Sequence, residues 1–113
     1  GAITESDIQR KFNKLYEYCD EVGRPRDSVL RSQFTMPLIL AETESALNDK
    51  LNRLPKATLE WCGDALFAGT PDEAIEFYQD LVNIGFQYFY ANILDTDEST
   101  IDLMCKHLVP AFA

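Results

Sequence analysis

The sequence holds little that could bind a metal or act as a nucleophile, and nothing long enough to cross a bilayer. Of its 113 residues one is histidine, His107, and three are cysteine, Cys19, Cys62 and Cys105. With an odd number of cysteines and no C-x-x-C pair, neither a zinc knuckle nor a redox motif is expected. The three are read as reduced and mostly buried thiols. No apolar run approaches the roughly 20 residues that a spanning helix needs. The opening Gly1-Ala2-Ile3-Thr4 lacks the charged and then apolar regions of a secretory leader, so a cytoplasmic location is expected. Basic residues are scarce as well: 10 Lys and Arg against 19 Asp and Glu give a net charge of −9. Such a field repels phosphate backbones and anionic head groups, so neither nucleic acid nor membrane is an expected partner.

What is present is ordinary globular composition, 46% hydrophobic and 26% charged, in a length that suits a single unit over residues 1–113. From Ser6, with Gln9 as the second member of a capping box, Ile8, Phe12, Leu15, Tyr16, Cys19 and Val22 follow helical spacing. Gly23 ends that helix and Pro25 prevents its resumption. Thr43 caps a second helix carrying Ala46, Leu47, Leu51 and Leu54, stopped by Pro55, and a short helix covers 58–66. The clearest start signal is Gly69-Thr70-Pro71-Asp72-Glu73, with Thr70 as N-cap, Pro71 at the first position and Glu73 closing a capping box. Ala74, Ile75, Tyr78, Leu81 and Val82 mark the buried stripe, and Gly85 ends the helix. Ile101, Met104, Cys105 and Leu108 give the last helix, terminated by Pro110.

Two segments read as strands. Phe34 to Leu40 is nearly continuously apolar, as in a strand buried on both faces, with Pro37 placed at a bulge or on an unpaired side. Phe86 to Leu94 is aromatic and β-forming, and alternation sends Tyr88 and Tyr90 to one face and Phe89 to the other. Strands separated by helices imply a parallel pair with a right-handed crossover. Two parallel strands alone leave open edges and uncovered faces, so the unit reads as a slice of something larger.

Several of these pieces, taken in order, resemble a known family. The helix end Tyr18-Cys19-Asp20-Glu21-Val22-Gly23-Arg24, the strand exit Ala41-Glu42-Thr43-Glu44, the run Ala68-Gly69-Thr70-Pro71-Asp72-Glu73-Ala74-Ile75, the aromatic strand after Gly85, and Leu108-Val109-Pro110-Ala111-Phe112 together resemble the C-terminal part of the luciferase-like monooxygenases, flavin- or deazaflavin-dependent oxidoreductases. The resemblance implies an α/β fold, the last two βα units of a (β/α)8 TIM barrel. FMN or a deazaflavin would be the cofactor of the parent protein, and none is expected to bind tightly to this chain alone. A complete barrel needs about 250 residues. The family's glycine-rich phosphate loop and its main catalytic positions lie upstream of this segment, and no Gly-Gly-x-Gly run occurs here. The resemblance therefore implies no catalytic residue in this chain and no activity for it alone. The alternative is a self-standing module derived from such a barrel, its edges covered by a homo-oligomer rather than by the remainder of the barrel.

Gly69 and Thr70, opening a helix on the face where βα loops gather, are the candidate cofactor-binding residues, against the plainer reading of Thr70 as a cap. Asn92, near the end of the second strand, is the candidate for the substrate pocket. Trp61, Tyr88, Phe89 and Tyr90 are read as core packing, with a pocket wall as the alternative. The acidic group Asp95, Asp97, Glu98 and Asp102 is no EF-hand, since Thr100 and Lys106 stand where glycine and glutamate are required, and it is read as favouring a helix N-terminus. His107 beside Lys106 is read as complementing a helix C-terminus, and Arg24 and Arg26 as surface charges. No metal is expected.

Overall fold

Capping chemistry sets most helix boundaries. The computed structural model describes residues 4–94 and 97–113, so Gly1 to Ile3 and Asp95 of the acidic group lie outside the described residues. Helix α1 spans Glu5–Val22 and starts one turn-fraction earlier than Ser6 and Gln9 suggest, because Thr4 and Asp7 form the reciprocal capping box. Gly23 closes it in the left-handed region at φ 72°. A 3-10 turn at Arg26–Ser28 leads to the strands β1 (Ser32–Thr35) and β2 (Leu38–Leu40). Helix α2 (Glu44–Arg53) is capped by the Thr43 side chain, which accepts from the Ala46 N–H, and Leu54 ahead of Pro55 is already extended. Helix α3 (Lys56–Cys62) gives way at Gly63 to a 3-10 turn. Strand β3 (Phe67–Gly69), helix α4 (Pro71–Ile84) and strand β4 (Tyr88–Ala91) follow, with Thr70 and Glu73 closing the expected capping box.

The two expected strands become four short ones. β1 pairs with β4 and β2 with β3, both in parallel, with Ser32 opposite Tyr88 and Leu38 opposite Phe67. Met36–Pro37, a cis peptide, separates β1 from β2. Both neighbours still bond across the interruption: the Met36 N–H donates to Ala65 O, Phe67 N–H to Pro37 O, and Leu38 N–H to Asn92 O. The interrupted strand thus lies between β3 and β4, and Pro37 marks the break that a missing donor requires. β3 escaped the sequence reading because three residues directly before a helix cap are too few to show alternation.

Opposite faces of β2 are buried by different helices. Leu38 and Leu40 pack with Ala74, Tyr78 and Leu81 of α4 and with Leu103 and Leu108, whereas Ile39 and Ala41 pack with Leu47 and, more loosely, Leu51 of α2 and with Leu54 just beyond it. That is what right-handed crossovers demand when the chain moves first to one neighbour of the central strand and then to the other. It departs from the expected pair of barrel units, whose strands would lie side by side in sequence order with every helix on one face. Gly85 fixes the return into β4. It sits at φ 131°, and a Cβ there would lie 3.2 Å from the Phe12 ring, while Arg31 donates to its carbonyl at 2.6 Å. Gly85→Ala is therefore expected to destabilise the chain by more than about 1 kcal/mol, read as a lower urea midpoint at unchanged m.

The last helix departs from its expected phase. α5 (Glu98–Leu103) passes into a π-helical turn over Met104–Leu108 and then α6 (Val109–Ala111). The Val109 N–H reaches back five residues to Met104 O. Pro110 does not end the helix; it has no N–H for the carbonyl four residues back, and the widened turn just before it relieves the crowding. Thr100, Leu103 and Leu108 face the core, and Ile101 and Cys105 are exposed. Val82 on α4 is also exposed, flanking a stripe formed by Pro71, Ala74, Tyr78 and Leu81. Among the described residues no helix is long and apolar enough to cross a membrane.

Candidate functional site

The carboxyl ends of β2 and β4 meet where the chain changes its direction of travel through the sheet, because α2 leaves to one face and α5 to the other. Crevices at such points are where open α/β sheets bind ligands. Here the crevice is closed by a polar clamp. Lys50, in the last turn of α2, donates from Nζ to Leu40 O at 2.6 Å, to Asp97 Oδ1 at 2.6 Å and to Thr100 Oγ1 at 3.2 Å. Its side chain is 23% exposed and that of Asp97 11%. Asp97 also caps α5 by accepting from the Thr100 N–H at 3.2 Å. Burial alone would raise the Asp97 pKa, but hydrogen bonds from Lys50 and Thr100, with the Lys50 charge, outweigh it and hold the carboxyl below its ordinary value. All three ammonium protons have acceptors, so Lys50 holds the strand exits together and is not available as a base or nucleophile. Beside it lies a cleft of about 240 Å³ floored by Ile39, Leu54 and Leu94, with Arg53 at its rim.

A second surface lies on the sheet itself. Over β1 and β4 one face is covered by helices: Thr35 is 1% exposed and its hydroxyl lies 2.8 Å from Tyr78 Oη, while Phe89 packs edge-on to the Tyr78 ring at 5.0 Å. The other face is bare. Phe34, Tyr88 and Tyr90 are 53%, 51% and 56% exposed, and the two tyrosine rings stack at 6.3 Å. Asn92 follows in the same alternation and is exposed, while its backbone joins the sheet through Thr35 O and the Leu38 N–H. Tyr88 and Tyr90 are therefore surface rather than core, as is Trp61 on α3 at 75% exposure; only Phe89 packs inward.

Gly69 and Thr70 stand at the third strand exit, by a cleft of about 470 Å³ lined by Glu42, Thr70, Pro71, Asp72, Lys106 and His107. The arrangement does not fit a flavin phosphate. Glu73 Oε1 accepts from the Thr70 N–H at 3.1 Å, Thr70 Oγ1 accepts from the Glu73 N–H, and Pro71 has no N–H to offer. Glu42, Asp72 and Glu73 surround the helix start with negative charge. Gly69 sits in tight packing, since a Cβ there would lie 3.2 Å from the Phe67 ring and 3.3 Å from Glu73 Cβ.

The remaining expectations concern single residues. His107 is half-buried in the π-helical turn beside the exposed Lys106. Arg26 pairs with Asp20 at 2.6 Å on the surface, and Arg24 bonds to Ser28. Cys19 and Cys62 are buried, Cys105 is exposed, and all three are free. Among the described residues no group of three or more His, Cys, Asp and Glu is placed to hold a metal ion. The sequence reading missed the clamp: Lys50 and Asp97 lie 47 residues apart, and the one local sign was the Asp97-x-x-Thr100 cap spacing. Comparison with family models, with curated proteins and with solved structures finds no match for this chain.

Proposed function

We propose that the chain is a C-terminal segment of a luciferase-like, flavin- or deazaflavin-dependent oxidoreductase, inactive by itself. One observation supports this above the others: over β1 and β4 the parallel sheet carries helices on one face and bare aromatic rings on the opposite one, although the helices on both faces of β2 and the placing of its strand between β3 and β4 are those of an open sheet and not of consecutive barrel strands. A barrel strand has helices outside and packed or ligand-facing side chains within, and substrate is reached from the carboxyl ends of the strands. Phe34, Tyr88 and Tyr90 would then be apolar wall, and Asn92, just beyond β4, would offer an amide to substrate. When bound in the parent, the cofactor would supply the hydride or electron chemistry. This segment contributes shape, and Gly69 and Thr70 contribute a helix cap rather than a phosphate cradle.

The test is to read the coding sequence in frame upstream of Gly1 and express the longer chain. On this reading it encodes at least about 130 further residues of alternating strands and helices, the longer protein binds FMN or a deazaflavin, and Tyr90→Ala raises KM more than it lowers kcat. The 113-residue chain alone shows no stoichiometric binding of either cofactor. An upstream region without βα units, or tight FMN binding with turnover by the short chain, would sink the proposal.

A further inference from the structure

The bare rings border a strand whose outer edge is open. The Tyr88 and Asn92 N–H groups donate to Arg31 O and Thr35 O of the neighbouring strand. Alternation therefore turns the N–H and C=O groups of Phe89 and Ala91 to the opposite edge, where no strand lies among the described residues. Edge strands are ordinarily blunted by lysine, proline or a bulge. Tyr88-Phe89-Tyr90-Ala91 has none of these. Among the described residues, in a chain of net charge −9, the strand, Phe34, Asn92, and the exposed Val109 and Phe112 that rim the apolar groove beside Phe89 and Ala91 are all uncharged.

We propose that β4 pairs antiparallel with β4 of a second copy, about a two-fold axis passing beside Tyr90. The open-edge residues dictate the register. Phe89 and the partner's Ala91 exchange both backbone hydrogen bonds, as do Ala91 and the partner's Phe89, so a large side chain meets a small one at each pair. Tyr90 faces the partner's Tyr90 as the non-hydrogen-bonded pair, with Cα atoms about 4.5 Å apart, and aromatic cross-strand pairs of this kind are favourable. Tyr88 stands opposite the partner's Asn92. Self-complementarity of this sort is what an isologous interface requires.

Area sets the expected strength. The rings of Tyr88 and Tyr90 supply about 100 Å² each, and with the strand edge and the groove rim the patch stays below the roughly 600 Å² per partner at the low end of specific interfaces. The dimer is therefore concentration-dependent. This inference goes beyond the barrel reading and does not rest on it, since it concerns the 113-residue chain as it stands.

The register is tested by cross-linking in a Cys105→Ser background, which removes the exposed thiol. In Tyr90→Cys the two thiols face each other within disulfide reach, whereas in Tyr88→Cys the equivalent Cα atoms lie about 14 Å apart, four residues of strand away. Under oxidised glutathione, Tyr90→Cys is expected to form a covalent dimer at least tenfold faster than Tyr88→Cys. By sedimentation the wild type should reach twice its 12.9 kDa mass at about 100 μM, and Tyr90→Lys should remain monomeric with unchanged circular dichroism. A wild type that stays monomeric, or equal cross-linking of the two cysteine variants, overturns the proposal, and the cross-linking arm decides if Tyr90→Lys does not fold. Failure here leaves the barrel reading standing, because that reading turns on the upstream sequence and on cofactor binding by the longer chain.

Discussion

Truncating Leu38 to alanine is expected to cost about 3–4 kcal/mol of stability, the largest effect of any single core substitution considered. Leu38 is 0% exposed and lies in the central strand, where it meets α4 and the last helix together. Its removal forfeits the transfer energy of the side chain and leaves a cavity. Neighbours from three elements cannot all collapse into it, which places the cost around the middle of the usual 2–5 kcal/mol for such changes rather than at its lower end. Total stabilities of small domains are about 5–15 kcal/mol, so a large share of the folded population is at risk. Ile101→Ala is the matched control: 44% exposed on the flank of α5, it should change stability by less than about 0.5 kcal/mol. Urea unfolding of the two variants beside the wild type checks both values. A loss at Ile101 comparable to that at Leu38 would mean that α5 turns Ile101 rather than Thr100 toward the core.

That contrast shows where the sequence was informative and where it was not. Helix starts at Thr43 and Thr70 and stops at Gly23 and Gly85 were legible, because each depends on a side chain or a φ preference within four residues of the boundary. The strand over Leu38–Leu40 was legible because burial on both faces writes itself as an unbroken apolar run. The face of the last helix was not, since its buried side includes a polar residue, Thr100, which accepts from the Leu40 N–H, while the apolar Ile101 beside it is exposed. β3 was missed for want of length. The first helix was placed on Ser6 and Gln9 although Thr4 and Asp7 offer the same chemistry two residues earlier, an ambiguity that local pattern cannot resolve. Of the candidate sites, the facing of Tyr88 and Tyr90 followed from alternation, but their exposure depends on which elements cover the sheet. Bareness is a property of the whole arrangement, as is the Lys50 clamp.

Lys50→Met is expected to lower stability by about 3 kcal/mol and, with it, to remove an acid-sensitive contribution to folding. The mechanism is the charge left behind. Asp97 is only 11% exposed, and without its ammonium partner it keeps the Thr100 hydroxyl and N–H but must bear its burial uncompensated. Breaking one member of a buried ion pair costs about 3–5 kcal/mol, and the partial exposure of Lys50 puts this case at the lower bound. Leu40 O also loses its 2.6 Å donor. At roughly 4 °C per kcal/mol for a domain of this size, Tm should fall by about 12 °C. The pH dependence follows from the lowered Asp97 pKa. Because the folded value lies below the unfolded one, the clamp's contribution is fully present above the ordinary aspartate value of 3.8 and is lost as pH falls through the folded value. Wild-type stability should therefore drop more steeply below pH 4 than that of a Lys50→Met/Asp97→Asn double variant. The double variant should also recover part of the single variant's loss at pH 7, since an amide tolerates burial better than an unpaired carboxylate. Parallel stability curves for the two chains, with no separation in slope below pH 4 and no recovery at pH 7, would show that the strand exits are held by apolar packing of α2 against Ile39 and Ala41 rather than by the charge of Lys50.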